Sequence, residues 1–224
     1  MNRFSDIILS TAALLILSPL FLILILILMF TGENEVFYFQ NRIGYKRKVF
    51  KVYKFVTMIK NSEKLAGGTL TMQNDVRVLP FGKFLRKTKI NELPQLINIL
   101  LGDMSIVGPR PLVPEGEANY QLEDSKIIRS VRPGASGIGS LILRDEESYY
   151  AHRSDAQEFY INVISPYKGL IEVWYVNKKS FFLDIKIIIL TVFAIIKPSF
   201  DPSKYFDDIP KMPEEMVLSN KRKY

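Results

Sequence analysis

The stretch 89-KINELPQLINILLGDMSIVGPRP-111 decides how the rest of this chain is read. Leu93, Leu96, Ile97, Leu100 and Leu101 recur at the spacing of one helix face, and Gly102 is a natural stop. Pro94 fits only in a first turn, where its missing N–H costs nothing. The helix is therefore predicted to begin near Asn91, a good N-cap residue. Glu92 then falls among the free amides and positive dipole end of that first turn. A helix that merely fills a core needs neither this carboxylate at its mouth nor Arg110 between two prolines at its exit. From these residues alone, a capped core helix with a dipole-compensating glutamate stays the alternative.

Upstream, Ile7–Phe30 reads IILSTAALLILSPLFLILILILMF, 24 residues without a charge. A straight helix of that length is roughly 36 Å long, enough to cross about 30 Å of hydrocarbon. Only Arg3 precedes the run as a basic residue, and no small-residue cleavage site follows before Thr31-Gly32-Glu33-Asn34. The segment is thus expected to stay in the mature protein rather than act as a cleaved signal. Ser18-Pro19 lies at its midpoint. Proline removes one helix hydrogen bond, which predicts a bend, and Ser18 can bond back to a carbonyl left free there. On pattern alone a kinked spanning helix is the default. The alternative is a re-entrant hairpin with arms of about 18 Å, too short to cross.

The remaining chain reads as one domain of mixed α+β character. Val36–Gln40 and Lys48–Val56 are aromatic and β-branched, with turn chemistry at Asn41-Arg42-Ile43-Gly44 between them, so a β-hairpin is predicted. Glu63–Gln73 is polar and Gly-containing, a loop. Phe81–Thr88 is a short basic amphipathic piece. Phe181–Ile196 is apolar but carries Asp184 and Lys186. It either lies in a membrane interface, with Trp174 and Tyr175 at headgroup level, or packs as a buried helix. The segment from Pro198 has four prolines and ends KRKY, an extended or loosely held tail.

Thirty Lys and Arg against 23 Asp and Glu give a net charge of +7, which favours anionic partners. The chain has no cysteine, which excludes disulfides, thiolate zinc sites and cysteine nucleophiles. Its one histidine, His152, sits in a polar stretch and reads as a surface residue. Any metal would be held by oxygens, which points to magnesium or manganese. The basic residues are scattered through apolar segments without a nucleic-acid motif, so a nucleic acid is not the expected partner.

Several segments, in order along nearly the whole chain, resemble the bacterial sugar transferases, small monotopic phosphoglycosyl transferases. Apolar Ile7–Phe30 with Ser18-Pro19 is similar to the family's membrane helix. Phe39-Gln40-Asn41-Arg42-Ile43-Gly44 and Tyr53-Lys54-Phe55-Val56-Thr57-Met58 resemble its N-terminal signature. Arg86 precedes Asn91-Glu92 as the family's arginine precedes its acidic pair. Gly102 through Pro111 is the most specific match, and Val131-Arg132-Pro133-Gly134 and Tyr175-Val176 complete it. Three departures stand out. Asn91 replaces the family's aspartate, Val56 replaces a basic residue, and ASGIGSLILRDEES after Gly134 is unlike the commoner form, which bears on the choice of sugar.

The resemblance implies a re-entrant membrane helix over 1–31, a mostly helical cytoplasmic domain with a small β-hairpin over 32–197, an interfacial helix near 181–196, and a tail over 198–224. It implies transfer of a sugar 1-phosphate from a nucleotide diphosphosugar, a UDP-sugar, to undecaprenyl phosphate. That is the first membrane step of a surface-glycan pathway at the bacterial inner membrane. Lys54, Arg86, Arg110 and Arg132 are the expected phosphate-binding residues. Glu92 and Asn91 are the expected catalytic pair, with Glu92 as ligand to Mg2+ or Mn2+. The lipid bilayer is a partner, and there is room for a homo-oligomer or downstream glycosyltransferases. The alternative is a catalytically silent pathway scaffold, because an amide does not attack phosphate.

Overall fold

The computed structural model describes residues 1–65, 75–150, 153–197 and 199–221. About 58% of the chain is helical. His152, most of the 63–73 loop and the last residues of the tail lie outside the described residues.

Helix α1 (Arg3–Met29) runs unbroken through Pro19. Pro19 has no N–H to offer Leu15, four residues back, and the Ser18 hydroxyl donates to that same Leu15 carbonyl at 2.8 Å. The Ser18 hydroxyl therefore satisfies the carbonyl that Pro19 leaves free. Among the described residues, α1 alone is long and apolar enough to cross a membrane. Both of its ends are fastened to the domain. At one end Asp6, fully buried, accepts from the Ser105 hydroxyl and the Ile106 amide, each at 3.0 Å. Arg3 beside it donates to the Ile99 and Leu100 carbonyls. At the other end Leu24 and Leu28 pack with Phe55 and Leu85. Between them Leu15 and Ile16 are 70% and 76% exposed.

The hairpin pairs β1 (Phe37–Ile43) with β2 (Val49–Phe55) in antiparallel register. The turn falls later than the sequence suggests. Asn41, Arg42 and Ile43 stay in the ladder opposite Lys51, Phe50 and Val49, and the turn is Gly44–Lys48, where Lys46 and Arg47 take positive φ. Helix α2 (Pro80–Lys87) follows, with Gly82 so close to the Thr57 backbone that a Cβ would lie 2.2 Å from its carbonyl.

The decisive segment also differs from expectation. Ile90–Glu92 is a single 3-10 turn, and α3 spans only Gln95–Leu101, with Pro94 as its cap. Asn91 is not an N-cap, and Glu92 lies ahead of the helix rather than in its first turn. The face directed inward is also not the leucine stripe. Gln95, Asn98 and Ile99 are buried, whereas Leu101 is 63% exposed. Asn98 explains the inversion. Its Nδ2 donates to the Lys51 carbonyl and its Oδ1 accepts from the Tyr53 amide, so its side chain satisfies the free edge of β2.

A second, parallel pair joins β3 (Ser105–Val107) to β4 (Gly134–Ser136). Here two glycines meet. A Cβ on Gly134 would fall 2.1 Å from the Gly108 nitrogen, and one on Gly108 would fall 2.4 Å from the Arg132 carbonyl. Only glycine permits this approach. Between the strands run α4 (Pro114–Glu117) and α5 (Leu122–Ile128).

After β4, the chain forms α6 (Ile138–Ile142), α7 (Glu147–Tyr150), α8 (Ala156–Phe159), a π-helical turn at Tyr160–Ile164, α9 (Ser165–Lys178) and α10 (Phe181–Ile196). The main core gathers Ile138, Leu141, Tyr150, Ile164, Ile171, Tyr175 and Ile187. Helix α10 buries Asp184, Ile187, Leu190 and Ala194 and exposes Phe182, Val192, Phe193 and Ile196. Tyr175 is not at a surface level. It is buried, and its hydroxyl donates to Asp184 at 2.6 Å, which accounts for the acid inside the apolar run. Trp174 packs edge-on against Phe206, 5.7 Å between centroids. The tail is correspondingly not loose. Phe206 and Met216 enter the main core, Tyr167 donates to the Pro210 carbonyl, and α11 (Glu214–Lys221) closes the chain.

Asp6 tests the attachment of α1. Asp6→Leu leaves a buried hydroxyl and a buried amide of β3 without their acceptor, which costs about 1–3 kcal/mol each. Thermal unfolding of the detergent-solubilised protein is expected to shift down by several degrees. An unchanged midpoint would show that α1 is not fastened there.

Candidate active site

Period-two alternation places Tyr38, Gln40 and Arg42 of β1 on the same face as Phe50, Val52 and Lys54 of β2. That face looks onto the turn carrying Glu92. Lys54 Nζ lies 3.1 Å from Glu92 Oε1, with both side chains largely buried. Arg42, Gln95, Arg110 and Pro111 line the same cleft. Arg42 is fixed by Gln40 Oε1 at 3.1 Å and by the Pro111 carbonyl at 3.1 Å.

One carboxylate thus faces three cations. Burial alone would push Glu92 up, but Lys54 and Arg110 outweigh it and hold the acid well below the usual carboxylate range. Two of the cations, Lys54 and Arg42, show the reverse stress. Burial, eased by Glu92 and worsened by Arg110 and Arg42, brings Lys54 down to about 8. Burial and the neighbouring Arg110 bring Arg42 down to about 10.

Arg110 is held from behind. Its amide donates to Glu172 Oε1 at 3.1 Å, and its Nη1 donates to Ser140 Oγ at 3.2 Å. Glu172 is 1% exposed, its Oε2 has no hydrogen-bond partner among the described residues, and burial pushes it up to about 7. Gly139 makes room for it, since a Cβ there would lie 2.4 Å from Oε1.

Of the residues expected from sequence, Lys54, Glu92 and Arg110 come together. Arg86 stands at the side, 3.9 Å from Glu147 and 3.8 Å from the Met58 sulfur. Arg132 does not join them. Its Nε donates to the Gly102 carbonyl at 2.9 Å and its guanidinium lies 5.9 Å over Tyr45, a structural clamp at the end of α3. Asn91 is buried and its Oδ1 has no hydrogen-bond partner among the described residues. Arg42, Gln95, Ser140 and Glu172 are additions. Arg42 could have been found by carrying the alternation from Lys54 across the hairpin. Glu172 leaves only one trace, an acid four residues after Lys168 within the apolar run 169-GLIEVWYV-176.

A cluster of cations around one carboxylate suits a transferase that handles phosphate, and a long apolar helix is fastened to the same domain. The chain belongs to the bacterial sugar transferase family, whose model matches residues 1–198. It is 32% identical over 210 residues to the exopolysaccharide production protein ExoY of Rhizobium meliloti, covering 87% of this chain and 84% of that one. It is 36% identical over 197 residues to the UDP-glucose:undecaprenyl-phosphate glucose-1-phosphate transferase of Escherichia coli, covering 86% of this chain and 39% of that one. A UDP-N-acetylgalactosamine-undecaprenyl-phosphate N-acetylgalactosaminephosphotransferase of Aeromonas hydrophila is 32% identical over 200 residues, 87% of this chain and 43% of that one. The chain spans about two-fifths of the length of these last two relatives.

Glu172 gives a pH test with a fixed sign. Its folded pKa is raised to about 7, so the native state binds the extra proton between the ordinary carboxylate range and neutrality. Stability is expected to fall as pH rises through that window, by up to about 3 kcal/mol. Glu172→Gln should flatten the fall, as read by denaturant melts from pH 5 to pH 8. Parallel curves for the two proteins would remove Glu172 as the cause.

Proposed function

We propose that this chain transfers a sugar 1-phosphate from a UDP-sugar to undecaprenyl phosphate, the first membrane step of a surface-glycan pathway. The observation that carries the reading is the Glu92 carboxylate at 3.1 Å from Lys54 in a cleft that Arg42 and Arg110 also line. Phosphoryl transfer is mostly positioning and neutralisation of charge, and the donor's diphosphate supplies the anion that this cleft is short of. Arg110, with its backbone restrained by Pro109 and Pro111, offers a planar fork to one phosphate. Lys54 and Arg42 take the remaining charge, and Arg86 stands at the rim.

Glu92 acts as nucleophile in this scheme. A carboxylate bonded to an ammonium and faced by guanidinium groups is a weak base but a persistent anion. The lipid phosphate already carries an anionic oxygen and needs no base. Glu92 attacks the β-phosphorus, the bond between the α- and β-phosphates breaks, and UMP leaves. The lipid phosphate oxygen then attacks the same phosphorus and restores the carboxylate. Asn91 contributes no nucleophile.

Among the described residues, no three His, Cys, Asp or Glu side chains gather as a metal site. Magnesium or manganese therefore fits as a companion of the donor diphosphate, as magnesium sites of one carboxylate plus substrate phosphates do. Glu92 and the unpartnered Asn91 Oδ1 would hold it. It would offset charge on the diphosphate.

The domain faces the cytoplasm of the inner membrane, with α1 re-entrant. Attachment of both ends of α1 to one domain supports this reading, since a spanning helix would carry Arg3 and Asp6 to the far side. The exposed apolar faces of α10 and Leu101 would meet the bilayer surface. The competing reading, a silent scaffold, rests on Asn91 alone.

Two measurements decide. The detergent-solubilised full chain is incubated with UDP-sugars, with and without undecaprenyl phosphate. UMP release should occur, with a stoichiometric burst before acceptor is added, and Glu92→Gln should lose about 10³-fold or more. No release from the parent, restored by Asn91→Asp, would identify a silent scaffold. Single cysteines placed at Asn2 and Asn34 should both resist an impermeant thiol reagent in intact cells. Labelling at position 2 alone would replace the re-entrant helix with a spanning one.

A further inference from the structure

One stretch of chain touches both Arg110, which lines the cleft, and Arg86. Ser140 Oγ accepts from Arg110 at 3.2 Å, and Glu147 lies 3.9 Å from Arg86. Between them Leu141, Ile142 and Leu143 sink into the core, as do Tyr149 and Tyr150 beyond. These anchors leave Ser140 and Glu147 directed at the two arginines, with the polar residues of the same stretch between them. Glu146 lies in this stretch, within electrostatic reach of Arg110. Its Oε2 accepts from Lys168, which is itself buried, and Lys168 also lies 3.5 Å from the Tyr160 hydroxyl at the start of the π-helical turn. The Glu146 side chain keeps 24% of its surface, and its Oε1 accepts no hydrogen bond among the described residues.

A carboxylate beside a phosphate grip works against anion binding, so a cleft built for phosphates alone has no use for it. Its charge is offset by Lys168, and what the pair presents is a fixed, strong hydrogen-bond acceptor. Ring hydroxyls are the complementary donors. We propose that Glu146, preset by Lys168 and the Tyr160 hydroxyl, is the subsite that reads ring hydroxyls of the sugar being transferred. The proposal rests on the functional reading above, because it places the sugar next to the phosphate held by Arg110. The ordering of charges agrees. Burial pushes Glu146 up, but Lys168 and Arg110 outweigh it and keep the acceptor ionised.

The alternative source of such hydroxyls is the donor's ribose, and the test separates the two. Dissociation constants and kcat/KM are measured on the full chain for UDP-glucose, UDP-galactose, UDP-N-acetylglucosamine and UDP-N-acetylgalactosamine, with UMP as a ribose-only probe. The parent, E146Q, and the double variant E146L/K168M are compared. The double variant removes both charges together and leaves no buried ion unpaired. The preferred donor should lose about 10- to 100-fold, the worth of a hydrogen bond to a charged group. Discrimination among the four sugars should narrow by a similar factor, with UMP affinity kept within about twofold of the parent. Equal losses for all donors and UMP would assign Glu146 to the ribose or to general charge balance and overturn the proposal. So would unchanged discrimination. Discriminating binding without turnover in the parent would sustain the subsite while defeating the transfer reading. Turnover with unaltered preference in both variants would do the opposite.

Discussion

The cleft is built around an imbalance of charge that the protein alone does not resolve. Lys54, Arg42 and Arg110 are drawn out of water around a single carboxylate, Glu92. Burial, only partly eased by Glu92, lowers Lys54 and Arg42 below their ordinary values, while burial is outweighed at Arg110 by Glu92 and the acids around it. Such an arrangement costs stability in the free protein, since buried cations need partners. It becomes favourable when an anion with several charges enters. A diphosphate is such an anion, and the cost of assembling the cations is met before it arrives. The second layer follows from the same constraint. Glu172 and Glu146 lie behind and beside Arg110, one bonded to its main chain and one partnered by Lys168, so that the loop is held without filling the place where the substrate charge belongs.

Strand β3 ties this cleft to the apolar helix α1. Its Ser105 and Ile106 are bonded to Asp6 of α1, and Arg110 follows four residues later. The close crossing of Gly108 and Gly134 leaves that short span little freedom. The height of α1 and the position of the phosphate grip are therefore set by one rigid piece. For an acceptor whose phosphate lies at headgroup level, this is the dimension that matters. A polar clamp at Asp6 suits the task better than apolar packing would, because a hydrogen bond fixes register along the helix axis while a hydrophobic face can slide.

Much of this was legible in the sequence, and the failures have particular causes. The length of α1 and the bond from Ser18 to the carbonyl that Pro19 leaves free followed from local rules. The hairpin followed from its β-branched and aromatic strands. Glu92, Lys54 and Arg110 followed from motif order, but Arg132 did not belong with them, because motif order says nothing about direction. Its side chain turns back to the Gly102 carbonyl. The leucine stripe of α3 was read as a core face, yet Asn98 is buried beside Gln95 and Ile99 while Leu100 and Leu101 are exposed, because an unpaired strand edge is costlier to leave than two leucines are to expose. The proline-rich tail was read as loose, since composition does not reveal that Phe206 and Met216 find the main core. Glu172 and Glu146 were missed for a different reason. Their partners are 62 and 22 residues away, beyond the reach of any local pattern.

Asn91 is the residue on which the chemistry turns. It is buried, and its Oδ1 has no hydrogen-bond partner among the described residues. An aspartate in that place would add a second buried carboxylate beside Glu92. It would offset more of the cationic charge, lessen the hold on the donor, and set two like charges against each other. The amide avoids that repulsion and leaves the cleft more positive, while withdrawing one nucleophile. Glu92 is then the carboxylate that answers to all three cations, which is how it stays ionised in a buried site. A chain that had lost its chemistry would have no physical reason to keep Arg42, Lys54 and Arg110 crowded together. The burial stress on Arg42 and Lys54 is therefore an argument for a working site with one carboxylate rather than a silent site with a missing one.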